Sequence, residues 1–244
     1  MPSEEQSLVQ MLGISPKSLR VLDIAIPAQV QMGYFMISLS IRKLEKLIPF
    51  DELTLKINNP LEYDNLKLIL VSLARHGSVD AYRILEHFSN QTDNIDLKQW
   101  CLMALQECRM LLESELMNEQ LVYFSSPLGS RDNKPRYQVI IFRPLSHTIK
   151  KKEFVFIEQE ILDICAMSNC ILDDIYYKKN YVSLLLFIPL DIIVEQFLIS
   201  LIETINDTLQ HYFSEHIICT NMKQYSARKI TNTINKIYAI KDNE

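Results

Sequence analysis

Two runs decide the fold: Tyr137-Gln138-Val139-Ile140-Ile141-Phe142-Arg143 and Tyr181-Val182-Ser183-Leu184-Leu185-Leu186-Phe187-Ile188. In both, apolar residues occupy odd and even positions alike, the pattern of a strand buried on both faces and therefore central in its sheet. Between them the sequence predicts a helix over Phe154–Met167 and a strand over Ile171–Tyr177. After them come a helix over Asp191–Leu209, a strand over His216–Thr220 and a last helix from Ser226. Ile171-Leu172-Asp173-Asp174-Ile175 is interrupted by charge, as an edge strand tolerates.

The order strand, helix, strand, strand, helix, strand resembles a ferredoxin-like domain. Two helices cover one face of such a sheet, so the other face needs a cover: the chain's own helical half, a second copy, or an external partner. Of each alternating pair, whichever of Ile140 or Phe142 and of Leu185 or Phe187 faces outward is the expected contact. On the second helix, Val194, Phe197, Leu198, Leu201, Ile202 and Ile205 form one core stripe. Ile192 and Ile199 lie off it as a second apolar strip.

Upstream the period is helical, with starts expected after Pro16 and Pro27 and breaks at Gly77 and Asn90–Asn94. Leu97, Trp100, Cys101, Ala104, Leu105, Cys108, Leu111 and Leu112 form a buried stripe, with Lys98, Gln99, Glu107 and Arg109 facing away and Asp96 with Gln99 as the expected cap. Leu73 to Ala81, with Gly77 and Asp80-Ala81, followed by Ile84-Leu85 and Trp100 to Leu105, resembles a HEAT-type repeat. That resemblance implies a helical hairpin with a glycine ending its first helix. The expected architecture is thus α+β: an all-helical HEAT-like domain over residues 1–119, then a ferredoxin-like βαββαβ domain with a terminal helix over 120–244, the polar loop Ser125–Pro135 leading into it.

Composition narrows the function classes. Four glycines in 244 residues, against an average usage of about 7%, argue against the glycine-rich loops of nucleotide enzymes. Five scattered cysteines, Cys101, Cys108, Cys165, Cys170 and Cys219, show no disulfide framework and are expected to be reduced and mostly buried in a cytoplasmic protein. Val21–Ile41 and Tyr181–Ile202 are greasy, yet Asp23, Pro27, Gln29 and Gln31 in one and Pro189, Asp191 and Glu195 in the other argue against a membrane span.

Candidate chemistry is sparse. Cys165, Cys170, His211, His216 and Cys219 lack zinc-ligand spacing, and no Ser or Cys sits on a nucleophile elbow. Adjacent Asp173 and Asp174 point to opposite faces of a strand, so they are expected to be a solvated edge rather than an acid–base pair. The strand Tyr181–Ile188, then Pro189, a helix and Tyr225 resemble a single-tyrosine HUH transposase domain, but Tyr181-Val182-Ser183 stands where that family carries His-x-His. The resemblance implies an inactive relative at most.

No catalytic, cofactor or metal site is expected. The leading expectation is a non-catalytic protein-binding or regulatory protein that assembles with itself or a protein partner through Ile140, Phe142, Leu185, Phe187, Ile192 and Ile199. The alternative is nucleic-acid binding through Arg131, Lys134, Arg136, Lys150, Lys151, Lys152, Arg228 and Lys229. Against that alternative, residues 131–244 carry 14 basic and 14 acidic side chains, so the half has no net attraction for phosphates.

Overall fold

The computed structural model describes residues 18–44, 46–58, 63–119, 121–143, 147–209 and 213–241. The chain is mixed α+β and separates into two compact units, one holding Ser18–Arg20 and Ile26–Phe124, the other Val21–Ala25 and Ser125–Glu244. The division falls after Phe124, a few residues beyond position 119.

Strand β1 (Leu19–Val21) pairs with β2 (Val122–Phe124) in a two-stranded sheet. Pro16 lies outside the described residues, and the stretch after it is a strand where a helix was expected. Five helices follow: α1 (Ala28–Arg42), α2 (Phe50–Ile57), α3 (Tyr63–Arg75), α4 (Val79–Gln91) and α5 (Ile95–Met117). Proline sits at the N-cap of α1 and of α2, where its fixed φ and missing donor cost nothing. Gly77 adopts φ +56° between α3 and α4, the left-handed turn that glycine permits. Ser78 caps α4 by accepting from the Ala81 N–H. The cap of α5 is Asn94, which accepts from the Leu97 N–H, not Asp96, because Asp96 already lies within the first turn.

In the C-terminal unit, β3 (Ser130–Arg131) and β4 (Lys134–Phe142) form a hairpin, followed by α6 (Lys151–Met167), β5 (Ile171–Tyr177), β6 (Tyr181–Phe187), α7 (Val194–Leu209), β7 (Ile218–Thr220) and α8 (Ala227–Lys241). Pairing runs β5–β6–β4–β7, all antiparallel. The two apolar runs are therefore the central strands and the charged one is an edge, as the sequence pattern requires. Arg131 to Pro135 is not open loop: Asp132 and Asn133, both at positive φ, make the two-residue turn that returns β3 into β4.

One face of the sheet carries the larger core, with Val139, Ile141, Val182, Leu184 and Leu186 packed against Ile157 and Ile161 of α6 and Leu201 and Ile205 of α7. The opposite face is covered by the chain itself. Ile140, Phe142 and Tyr181 pack against Ile230 and Ile234 of α8, and Phe142 meets the Tyr238 ring edge-on at 5.8 Å. Gln138, buried between strands, donates to Ser183 and accepts from the Tyr225 backbone N–H, which pins the approach to α8 onto the sheet.

Candidate functional site

α1 presents its polar side inward. Gln31, Tyr34, Ser38 and Ile41 are its buried residues, while Met32 (66% exposed), Phe35, Met36 (64%) and Leu39 form an outward stripe at helical i, i+3, i+4, i+7 spacing. The cause of the inversion is Glu107 on α5, buried despite its charge. Its carboxylate accepts from the Tyr34 hydroxyl at 2.8 Å, Ser38 Oγ at 2.9 Å, Arg42 at 3.1 Å and Arg75 at 3.3 Å. A buried carboxylate needs such partners, and α1 supplies three of them from one face. Gln31 donates to the Ile26 carbonyl at 2.7 Å. Burial first, and then the charge of Glu107, raises the Tyr34 hydroxyl well above its ordinary pKa, so it remains a proton donor.

Sequence reading placed Glu107 on the outward side of α5; the structure corrects this. The signal was present in Gln31, Tyr34 and Ser38 sharing one face of α1 with Ile41. The outward apolar stripe continues past the helix in exposed Leu44 and Leu47. Lys43 and Lys46 are exposed at that end beside Arg42, which is bound to Glu107, and Glu45 is the one acid in residues 28–46.

The expected C-terminal contacts fall differently. Ile140 and Phe142 are fully buried under α8, so they do not form an open face. The sequence had supplied that cover in its last helix without assigning it there. Leu185 and Phe187 are also buried; Phe187 lies beneath two guanidinium groups, Arg131 at 4.7 Å and Arg136 at 5.6 Å from its ring centre. Ile192 precedes α7 and packs against the larger core. Ile199 alone of the six is exposed, at 45%.

The basic residues fall into separate groups. Arg131 and Arg136 both bind the Asp173 carboxylate, Arg131 at 2.8 Å, and Lys134 donates to Asn169 at 3.0 Å. Asp173 is thus not a solvated edge charge: a bulge between Leu172 and Asp174 breaks the simple alternation and turns it to the arginines. Asp174 instead accepts from the Ile175 N–H. Lys150, Lys151 and Lys152 stand at the start of α6, where Glu153 accepts from the Lys150 N–H. Arg228 lies in the first turn of α8, and Lys229 next to it rests over the Tyr225 ring at 5.5 Å.

Among the described residues, no group of three His, Cys, Asp or Glu side chains could hold a metal ion; His211 lies outside them. Cys101, Cys108, Cys165 and Cys170 are buried free thiols and Cys219 is exposed. Among the described residues no helix is long and apolar enough to cross a membrane.

No family model matches the sequence, and no curated protein matches it. Among solved structures, the chain is similar to a protein from Deinococcus radiodurans proposed to be a transposase, at 14% identity and a TM-score of 0.38 over 42% of this chain and 90% of the other. It is also similar to the C-terminal domain of the MgtC protein from Mycobacterium tuberculosis, at 14% identity and a TM-score of 0.29 over 40% of this chain and 99% of that domain. Both likenesses are too slight to assign a function.

Proposed function

We propose that the protein is a non-catalytic protein-binding module whose docking surface is the outward face of α1, and that its partner presents an acidic amphipathic helix. The observation that carries this reading is the stripe Met32, Phe35, Met36 and Leu39, held outward because Glu107 anchors the polar side of the same helix. Large apolar side chains at i, i+3, i+4 and i+7 are the anchors by which helices recognise one another. Methionine is an adaptable contact residue because its side chain is flexible and polarisable. Lys43 and Lys46, with Glu45 the one acid along residues 28–46 and Arg42 already bound to Glu107, give the surface the net positive sign that an acidic partner complements. The α3–α4 hairpin turning at Gly77 supports reading the unit as HEAT-like, an architecture that presents helix faces for binding.

The test is a display selection on the full chain with amphipathic helices that share one leucine stripe and differ in an acidic or basic polar face. Acidic helices are expected to be enriched on the wild-type chain and lost on Met36→Asp. Enrichment that ignores Met36, or that favours basic helices, would contradict the proposal. So would a wild-type dimer that Met36→Asp converts to monomer, since the occupant would then be a second copy.

A further inference from the structure

The hairpin joining β5 to β6 turns through Lys178, Lys179 and Asn180, and the first turns of α8 lie against it. Between them is a cleft of about 380 Å³ lined by Lys178, Lys179, Asn180, Tyr181, Arg228 and Thr231, among other residues. None of the described residues lining it is acidic. Its two inner donors have no protein partner. Tyr181 is only 2% exposed and its hydroxyl makes no hydrogen bond, and the Asn180 side-chain nitrogen is likewise buried and unpaired. A buried polar group without a partner is uncommon in a folded protein and calls for a ligand or a water.

The surroundings determine what such a ligand must be. Three cations line the cleft, Lys178 with its ammonium over the Tyr176 ring at 5.1 Å, and α8 presents the side of its first turns, with Arg228 and Thr231, to the same place. The Ile149 N–H donates to the Lys179 carbonyl at 2.8 Å, which brings the backbone of Lys150, the next residue, alongside the hairpin. Cations and unpaired neutral donors converge on one small space, and an acceptor-rich anion satisfies them together.

We infer that this cleft binds a phosphate group. It is a separate site from the α1 surface, on the other unit, and does not depend on the docking reading. The Tyr181 hydroxyl and the Asn180 amide donate to phosphate oxygens, while Lys178, Lys179 and Arg228 neutralise the charge. The phosphate belongs either to a free phosphate or monoester or to the backbone of a nucleic-acid strand, and the experiment separates the two.

The full chain is titrated calorimetrically with inorganic phosphate and, separately, with a short thymidylate oligomer, for wild type, Tyr181→Phe and Arg228→Glu. Wild type is expected to saturate, Arg228→Glu to lose binding, and Tyr181→Phe to bind roughly tenfold more weakly. Because the phenylalanine removes an unpaired buried hydroxyl, its melting temperature is expected to equal or exceed that of wild type. Tighter binding of the oligomer than of phosphate identifies a strand as the source; phosphate binding without the oligomer identifies a free phosphate or monoester. Failure of both probes to saturate by about 10 mM, or equal affinity of Tyr181→Phe and wild type, would overturn the inference.

Discussion

The Tyr34 hydroxyl donates to Glu107 Oε2 at 2.8 Å, with both side chains buried. The bond ties α1 to α5 and fixes which side of α1 faces water. Glu107→Ala is expected to destabilise the helical unit by about 3 kcal/mol, because it strands the buried Tyr34 and Ser38 hydroxyls and leaves half-buried Arg75 without its carboxylate. Tyr34→Phe removes one donor and should cost about 1 kcal/mol. Urea denaturation of the two variants checks the order; a Glu107→Ala loss no larger than that of Tyr34→Phe would mean the carboxylate is not the hub.

Phe142 packs between the sheet and α8, fully buried. A charge there has no water to reach, so Phe142→Asp is expected to yield no folded C-terminal unit rather than a dissociated monomer. Ile234→Ala, on the other side of the same contact, should leave the fold intact and cost about 2–4 kcal/mol. Near-ultraviolet circular dichroism with a denaturant titration distinguishes them, and a folded Phe142→Asp would show that α8 is not the permanent cover of that face.

Much of this architecture is legible in the sequence, and the reason is periodicity. Val139 to Phe142 and Leu184 to Ile188 read as doubly buried strands because nothing polar interrupts them, and the alternative edge, Asp173-Asp174, carries its own signal. Periodicity does not say which helix meets which face. Ile230, Ile234, Ile237 and Tyr238 mark a stripe on the last helix, yet nothing local tells that stripe to lie on Ile140 and Phe142. Glu107 is hard to place for a related reason: a charged residue is outward by default, and the polar face of Tyr34, Ser38 and Arg42 that signals a buried partner does not name a residue some 65 positions or more away in the chain. Arg131 and Arg136 read as free bases because a strand bulge at Asp173 leaves no mark in composition.

Gly77 at φ +56° leaves no room for a side chain, since an added Cβ would stand 2.9 Å from Leu111 Cβ. Gly77→Ala therefore meets both an unfavourable backbone conformation and a clash with α5. A loss of about 1–3 kcal/mol is expected, read as a lower urea midpoint; an unchanged midpoint would mean that the α3–α4 turn is not held against α5.

Stability should fall in alkali. Burial pushes the Cys101 thiol and the Cys170 thiol up to about 12 from an ordinary 9.0, and the Tyr137 hydroxyl up to about 12 from 10.0. The folded state then holds protons that the unfolded chain releases, so the stabilisation is complete below about pH 9 and is lost as pH rises from there towards 12. Denaturation midpoints between pH 8 and about 11 should decline, and replacing Cys101 with Ala should flatten the decline. A flat profile in wild type would show that these groups are not buried.

The most direct measurement is the affinity of one acidic amphipathic helix for the wild-type chain, for Met36→Asp and for the double charge reversal Lys43→Glu with Lys46→Glu, by fluorescence anisotropy. The expected result is binding lost in Met36→Asp, weakened by salt in wild type, and recovered in the charge reversal only by a helix whose acidic face has been made basic. Equal binding by all three chains, with the same peptide preference, would contradict the assignment of α1 as the docking surface.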